Sequence, residues 1–161
     1  MKALRVKRTN ASFALVLFAG AALTFSLTSG ASPLWASSER RGRIQATKEC
    51  SQFTGAAGSF CTITASNLGP LKVNSKVYYT QAAGIPAGML DSNVVLDAGA
   101  GDRAFGRCSV DNATGEGLCT FSDGTGQFAG FEARIAVTYT GGPNFTWNGT
   151  YRFNPEHGRR D

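Results

Sequence analysis

Between residues 131 and 153 the chain alternates apolar and polar side chains with a period of two, the repeat of a strand with one buried face. Phe131, Ala133, Ile135, Val137 and Tyr139 fall on one side, and Glu132, Arg134, Thr138 and Thr140 fall mostly on the other. After Gly141, Gly142, Pro143 and Asn144 the pattern resumes with Phe145, Trp147, Gly149, Tyr151 and Phe153, set against Thr146, Asn148, Thr150 and Arg152. Two long strands joined by a tight turn, with an aromatic stripe on one face, need a second apolar layer to cover that stripe.

Weaker alternation predicts further strands at about 60–66, 72–80, 92–97, 103–110 and 117–122. The segments from Gly84 to Gly88 and from Asp97 to Asp102 read as loops. No convincing helical periodicity occurs after residue 31. The 161 residues suit one domain. About seven to eight antiparallel strands in such a domain form a sandwich or a closed barrel, and the pattern alone does not separate the two.

The N-terminus reads as an address. Lys2, Arg5, Lys7 and Arg8 precede an apolar run from Ala11 to Leu27, and small residues follow at Ser29, Gly30 and Ala31, with a second exit at Ala36. This is the build of a bacterial-type secretory signal over residues 1–31, cleaved after 31 or 36. The run is short for a spanning helix, so export is expected over anchoring. Residues 32–49, with Pro33, Ser37, Ser38, Glu39, Arg40 and Arg41, read as a flexible leader. The domain proper is expected at 50–155, with a tail at 156–161. The formal charge of +5 suggests a nucleic-acid partner only until it is located: the signal holds four cations and no acid. A secreted or extracytoplasmic chain with no nucleic-acid partner is the expectation.

Cysteines in an exported chain are expected to be oxidised. Four permit three pairings. Cys108 and Cys119 flank a turn cluster at 112–115, so a hairpin there brings them face to face; Cys50 and Cys61 have the same spacing. Both local disulfides are expected. Zinc would want closer spacing and histidine, and the one histidine, His157, lies in the tail. No metal is expected.

Gly124-Thr-Gly-Gln-Phe-Ala-Gly-Phe-Glu-Ala-Arg134 resembles the G-[GT]-[TS]-G-x-F-x-x-[AV]-x-G turn and strand of the allene oxide cyclase and dirigent barrels. Residues 145–153 are similar to the final cyclase strand, Phe105-Gly-Arg-Cys108 resembles the dirigent V-G-R-A-Q-G strand, and Val77-Tyr-Tyr-Thr-Gln81 resembles F-Y-x-H-D. The nearest likeness is to bacterial exported proteins of the allene oxide cyclase barrel-like family, over roughly residues 60–153. The resemblance implies a single antiparallel barrel, a cofactor-free cyclase or isomerase acting on an apolar small molecule, and a homo-oligomer, a trimer. Two departures stand out. Thr80 and Gln81 replace the dirigent His-Asp, and no acid occurs between Phe60 and Tyr79, where the cyclases carry a glutamate.

The Gly124-x-Gly126 segment lacks the Lys-Ser/Thr ending and the helix of a phosphate loop, and reads as a hairpin that needs glycine. The aromatic stripe is either plain core or the lining of a cavity. In the second case Tyr79, Phe131, Tyr139, Trp147 and Tyr151 are the ligand-binding residues, with Gly130, Ala133 and Gly149 leaving space. Asp97 and Glu132 are the candidate catalytic carboxylates, although Glu132 has the opposite parity to the stripe. A steered cyclisation confines a reactive conformer and needs no cofactor. The competing reading is a non-catalytic extracellular or cell-surface binding module.

Overall fold

The computed structural model describes residues 40–83 and 88–154. They form eight strands: β1 (Arg40–Glu49), β2 (Phe60–Ser66), β3 (Lys76–Tyr79), β4 (Met89–Asp97), β5 (Arg103–Asp111), β6 (Glu116–Thr125), β7 (Phe131–Gly141) and β8 (Asn144–Phe153). Each strand pairs antiparallel with the next, and β8 returns to β1 with Arg40 opposite Phe153 and Glu49 opposite Asn144. Closure leaves no free edge. The fold is a closed barrel rather than a sandwich, and no α-helix occurs among the described residues. The signal over 1–31, the leader over 32–39, most of the Gly84 loop and the 156–161 tail lie outside the described residues.

One boundary needs correction. The expected leader over 32–49 is, from Arg40 onward, the barrel's first strand. Its inward positions are Gly42, Ile44, Ala46 and Lys48, and its outward ones include Arg41, Arg43 and Gln45. A strand whose inner face is made of two small residues, one isoleucine and a lysine carries almost no apolar period. Pairing supplies what the side chains lack: β1 matches β8 residue by residue over its whole length.

The inner face is filled. Trp147, Phe128, Phe131, Ile44, Ile63 and Leu71 are among the largest fully buried side chains. At the Arg40 end, the loop after β2 buries Leu68 and Leu71, and a 3-10 turn at Gly126–Phe128 buries Phe128. Gly149 does not open a cavity. A Cβ there would lie 2.1 Å from the Arg134 carbonyl oxygen, so the glycine admits the neighbouring strand's backbone. Gly126 serves the turn: its φ is +59°, and a Cβ would meet the Asp102 carboxylate at 2.2 Å.

Both disulfides tie neighbouring segments of the barrel wall. Cys108 lies directly opposite Cys119 across β5 and β6, and Cys50 follows β1 and reaches Cys61 on β2. On the chain-entropy account each contributes about 2–3 kcal/mol. Two disulfides are compatible with an extracytoplasmic protein. No helix among the described residues is long and apolar enough to cross a membrane.

Candidate functional site

The inward alternation of β1 ends on a lysine. A register shift between Thr47 and Lys48 opens the β1–β2 ladder there, and Lys48 points into the barrel near its Glu49 end with 2% of its surface exposed. Its Nζ donates to the Tyr79 hydroxyl at 3.1 Å. Three rings surround the charge, with centroids at 5.2 Å for Trp147, 5.4 Å for Phe145 and 5.7 Å for Tyr79. Each ring face attracts a cation through its quadrupole. Tyr79 is itself fixed: its ring packs on Phe53 at 4.5 Å, and its hydroxyl lies 3.7 Å from Cys61 Sγ.

An ammonium has three donors. Lys48 uses one of them, and the three ion pairs among the described residues are Arg103–Asp97, Arg107–Asp91 and Arg152–Glu132, none of which reaches it. Trp147 contributes a second unmet group, since its indole Nε1 is buried without a hydrogen-bond partner among the described residues. A buried cation without a counter-charge is costly in a medium of low dielectric. An acceptor oxygen within reach of Nζ would relieve it. Beside the cage, a depression of about 360 Å³ opens at the same end of the barrel, lined by Val110, Asp111, Thr114, Tyr139 and Phe145 among others. Phe145 belongs to both the depression and the cage.

The five expected ligand-binding residues divide between the two ends of the barrel. Tyr79 and Trp147 form the cage, and Tyr139 stands at the rim of the depression, 47% exposed, with its ring 5.4 Å from Phe145. Phe131 and Tyr151 belong to the other end, in an aromatic cluster with Phe121, Phe128 and Phe153. Neither expected carboxylate joins the lysine. Asp97 faces outward and accepts from Arg103 Nε at 3.0 Å and from the Gly99 amide at 2.8 Å. Glu132 also faces outward and accepts from Arg152 Nε at 2.8 Å. Its parity is opposite to that of the buried stripe, so with the stripe inside, the expected catalytic role of Glu132 at the lumen is corrected to an outer-wall ion pair.

Sequence reasoning missed two residues. Lys48 lay in the supposed leader, where the spacing of Gly42, Ile44, Ala46 and Lys48 was the available signal. Asp102 is the other: it is buried in the β4–β5 turn and accepts from the Gln127 amide at 2.9 Å and from Gln127 Nε2 at 2.6 Å. Those two bonds, the backbone one foremost, hold its carboxyl below the ordinary aspartate range. Asp102 ties the β6–β7 turn to the barrel wall at the end of the barrel away from the lysine cage.

No family model matches the chain, and no curated protein and no solved structure is significantly similar to it.

Proposed function

We propose that this barrel binds an apolar small molecule bearing one acidic oxygen group, at the end where Lys48 is buried. The observation that carries this reading is a lysine 2% exposed whose Nζ has, among the described residues, only the Tyr79 hydroxyl as a hydrogen-bond partner. Lys48, Tyr79 and the Trp147 indole N–H receive the oxygens, while Tyr139 and Phe145 pack the apolar body. In keeping with the resemblance to the allene oxide cyclase barrel-like family, the bound molecule is cyclised or isomerised without a cofactor. The fixed cation then stabilises an oxyanion as it develops. The same resemblance makes the protein an exported homo-oligomer, a trimer.

A binding module without turnover is the second reading. It is favoured by the lack, among the described residues, of any carboxylate in contact with Lys48 that would serve as a base. Tryptophan fluorescence titrated with laurate and with methyl laurate tests the shared premise. Saturable binding of the acid, much weaker binding of the ester, and loss of that preference in Lys48→Met are expected. Equal binding of both by the wild type rejects the site. Recovery of unchanged ligands from every candidate reaction, with binding intact, favours the module.

A further inference from the structure

The outer wall made by β7, β8 and β1 carries a second chemistry, independent of the lysine cage. The strand registers set Arg41 opposite Arg152, and Arg152 opposite Glu132. Two residues along, Thr150 lies between Arg43 and Arg134. All of these side chains point outward. Glu132 is engaged by Arg152, whereas Arg41, Arg43 and Arg134 have no ion pair or side-chain hydrogen bond with any described residue. Like charges at facing positions repel, so the wall gathers positive charge that its own sheet does not neutralise.

Further along the same strands the outward side chains become neutral hydrogen-bonding groups. Gln45 faces Asn148, and Thr146 lies between Thr47 and Thr138. Two grooves run over this surface. One, of about 340 Å³, includes Arg41, Glu132, Arg134, Thr150 and Arg152 in its lining. The other, of about 530 Å³, includes Gln45, Thr47, Asn67, Thr146 and Asn148. Phe121, Tyr151 and Trp147 also border these grooves, but they occupy inward positions of their strands, and no aromatic side chain points outward between Arg41 and Thr47, Glu132 and Thr138, or Thr146 and Arg152. Stacked bases therefore have no platform, which disfavours single-stranded nucleic acid. The wall is equally short of the apolar anchors that the core of a protein interface uses.

We propose that this wall binds an acidic polysaccharide of uronate sugars. The planar guanidinium groups of Arg41, Arg43 and Arg134 match carboxylates in a two-point fork. The hydroxyls and amides of Thr150, Thr146, Asn148 and Gln45 match the sugar hydroxyls between those carboxylates. Adjacent strands lie about 4.8 Å apart, so Arg43 and Arg134, two strand spacings from each other, present their charges across about 10 Å. That span suits an extended chain rather than a single ion.

Affinity electrophoresis and calorimetry with polygalacturonate, with neutral dextran as control, test the proposal on the mature protein. Retardation by polygalacturonate and none by dextran are expected. R43S/R134S should weaken binding by about tenfold or more while unfolding at the wild-type temperature. T146A/N148A should weaken it further at constant salt, and Lys48→Met should leave it unchanged. Undiminished binding in R43S/R134S overturns the assignment. So does binding of single-stranded DNA or dextran sulfate at least as tight as that of polygalacturonate at equal salt, because the wall would then read charge alone.

Discussion

Lys48 and Tyr79 form a buried donor–acceptor pair, with Nζ 3.1 Å from the phenol oxygen and no carboxylate among the described residues completing the set. The pair couples two strands that are not neighbours in the sheet, β1 and β3, across β2. This makes its energetics testable by a double-mutant cycle. Tyr79→Phe removes the one hydrogen bond of a buried cation and should destabilise the wild type by about 1–3 kcal/mol. Lys48→Met keeps a similar shape and removes the charge, so its midpoint in urea should match or exceed that of the wild type. In the Lys48→Met background the Tyr79→Phe cost should largely vanish. Additive effects of the two changes would show that the contact carries no coupling.

The disulfides should differ in function while resembling each other in stability. Each closes a loop with a sequence separation of 11, so removing either pair as Cys→Ala should cost about 2–3 kcal/mol. Cys61 also lies 3.7 Å from the Tyr79 hydroxyl, and Phe53, between the two cysteines of the first pair, packs on the Tyr79 ring. C50A/C61A should therefore weaken laurate binding as well, and C108A/C119A should not. Peptide mapping without reductant should recover the two local pairs; a Cys61–Cys108 peptide would contradict the structure.

Asp102 gives the fold an acid-side weakness. Its carboxyl, held below the ordinary value of 3.8 by the Gln127 bonds, favours the folded state while ionised. The contribution is therefore complete above that ordinary value and disappears as pH falls through the lower folded one. Thermal unfolding followed from pH 6 down to about pH 2 should show a loss of stability confined to the acid side of about pH 4. In Asp102→Asn, with its charge absent at every pH, that part of the slope should be missing. An unchanged acid limb in the variant would assign the slope to other carboxylates.

The legibility of the fold follows side-chain size. β7 and β8 were readable because Phe131, Ile135, Val137, Trp147 and Phe153 mark most of their inward steps with bulk, and only Ala133 and Gly149 interrupt the series. β1 was opaque because Gly42 and Ala46 mark theirs with almost nothing and Lys48 marks its own with a charge. The opposite parity of Glu132 and the stripe was legible, but which of the two faces the lumen was settled only by closure, which put Glu132 outside. The lysine cage was not, because it depends on closure: Lys48 meets Phe145 and Trp147 only through the β1–β8 seam. Local spacing reports hairpins such as Cys108–Cys119 and says nothing about which distant strand completes a barrel. The space that Gly149 suggests in the sequence is likewise spent on close approach of the neighbouring strand.

Trp147 and Tyr139 share the aromatic stripe but should respond in opposite ways to truncation. Trp147 is 1% exposed, with its ring 5.9 Å from Phe121 on one side and 5.2 Å from Lys48 Nζ on the other. Trp147→Ala should cost about 3–5 kcal/mol, the range for emptying a large aromatic site in a packed interior. Tyr139 is 47% exposed and touches Phe145 at the rim, so Tyr139→Ala removes little buried surface and should cost under about 1 kcal/mol. Ligand binding should reverse the order of concern. Laurate affinity should fall in Tyr139→Ala, whose fold is intact, because that ring walls the depression beside Phe145. Urea denaturation and calorimetric titration of the two variants separate these effects. An affinity in Tyr139→Ala equal to that of the wild type would remove the Glu49 end of the barrel as the ligand's entrance.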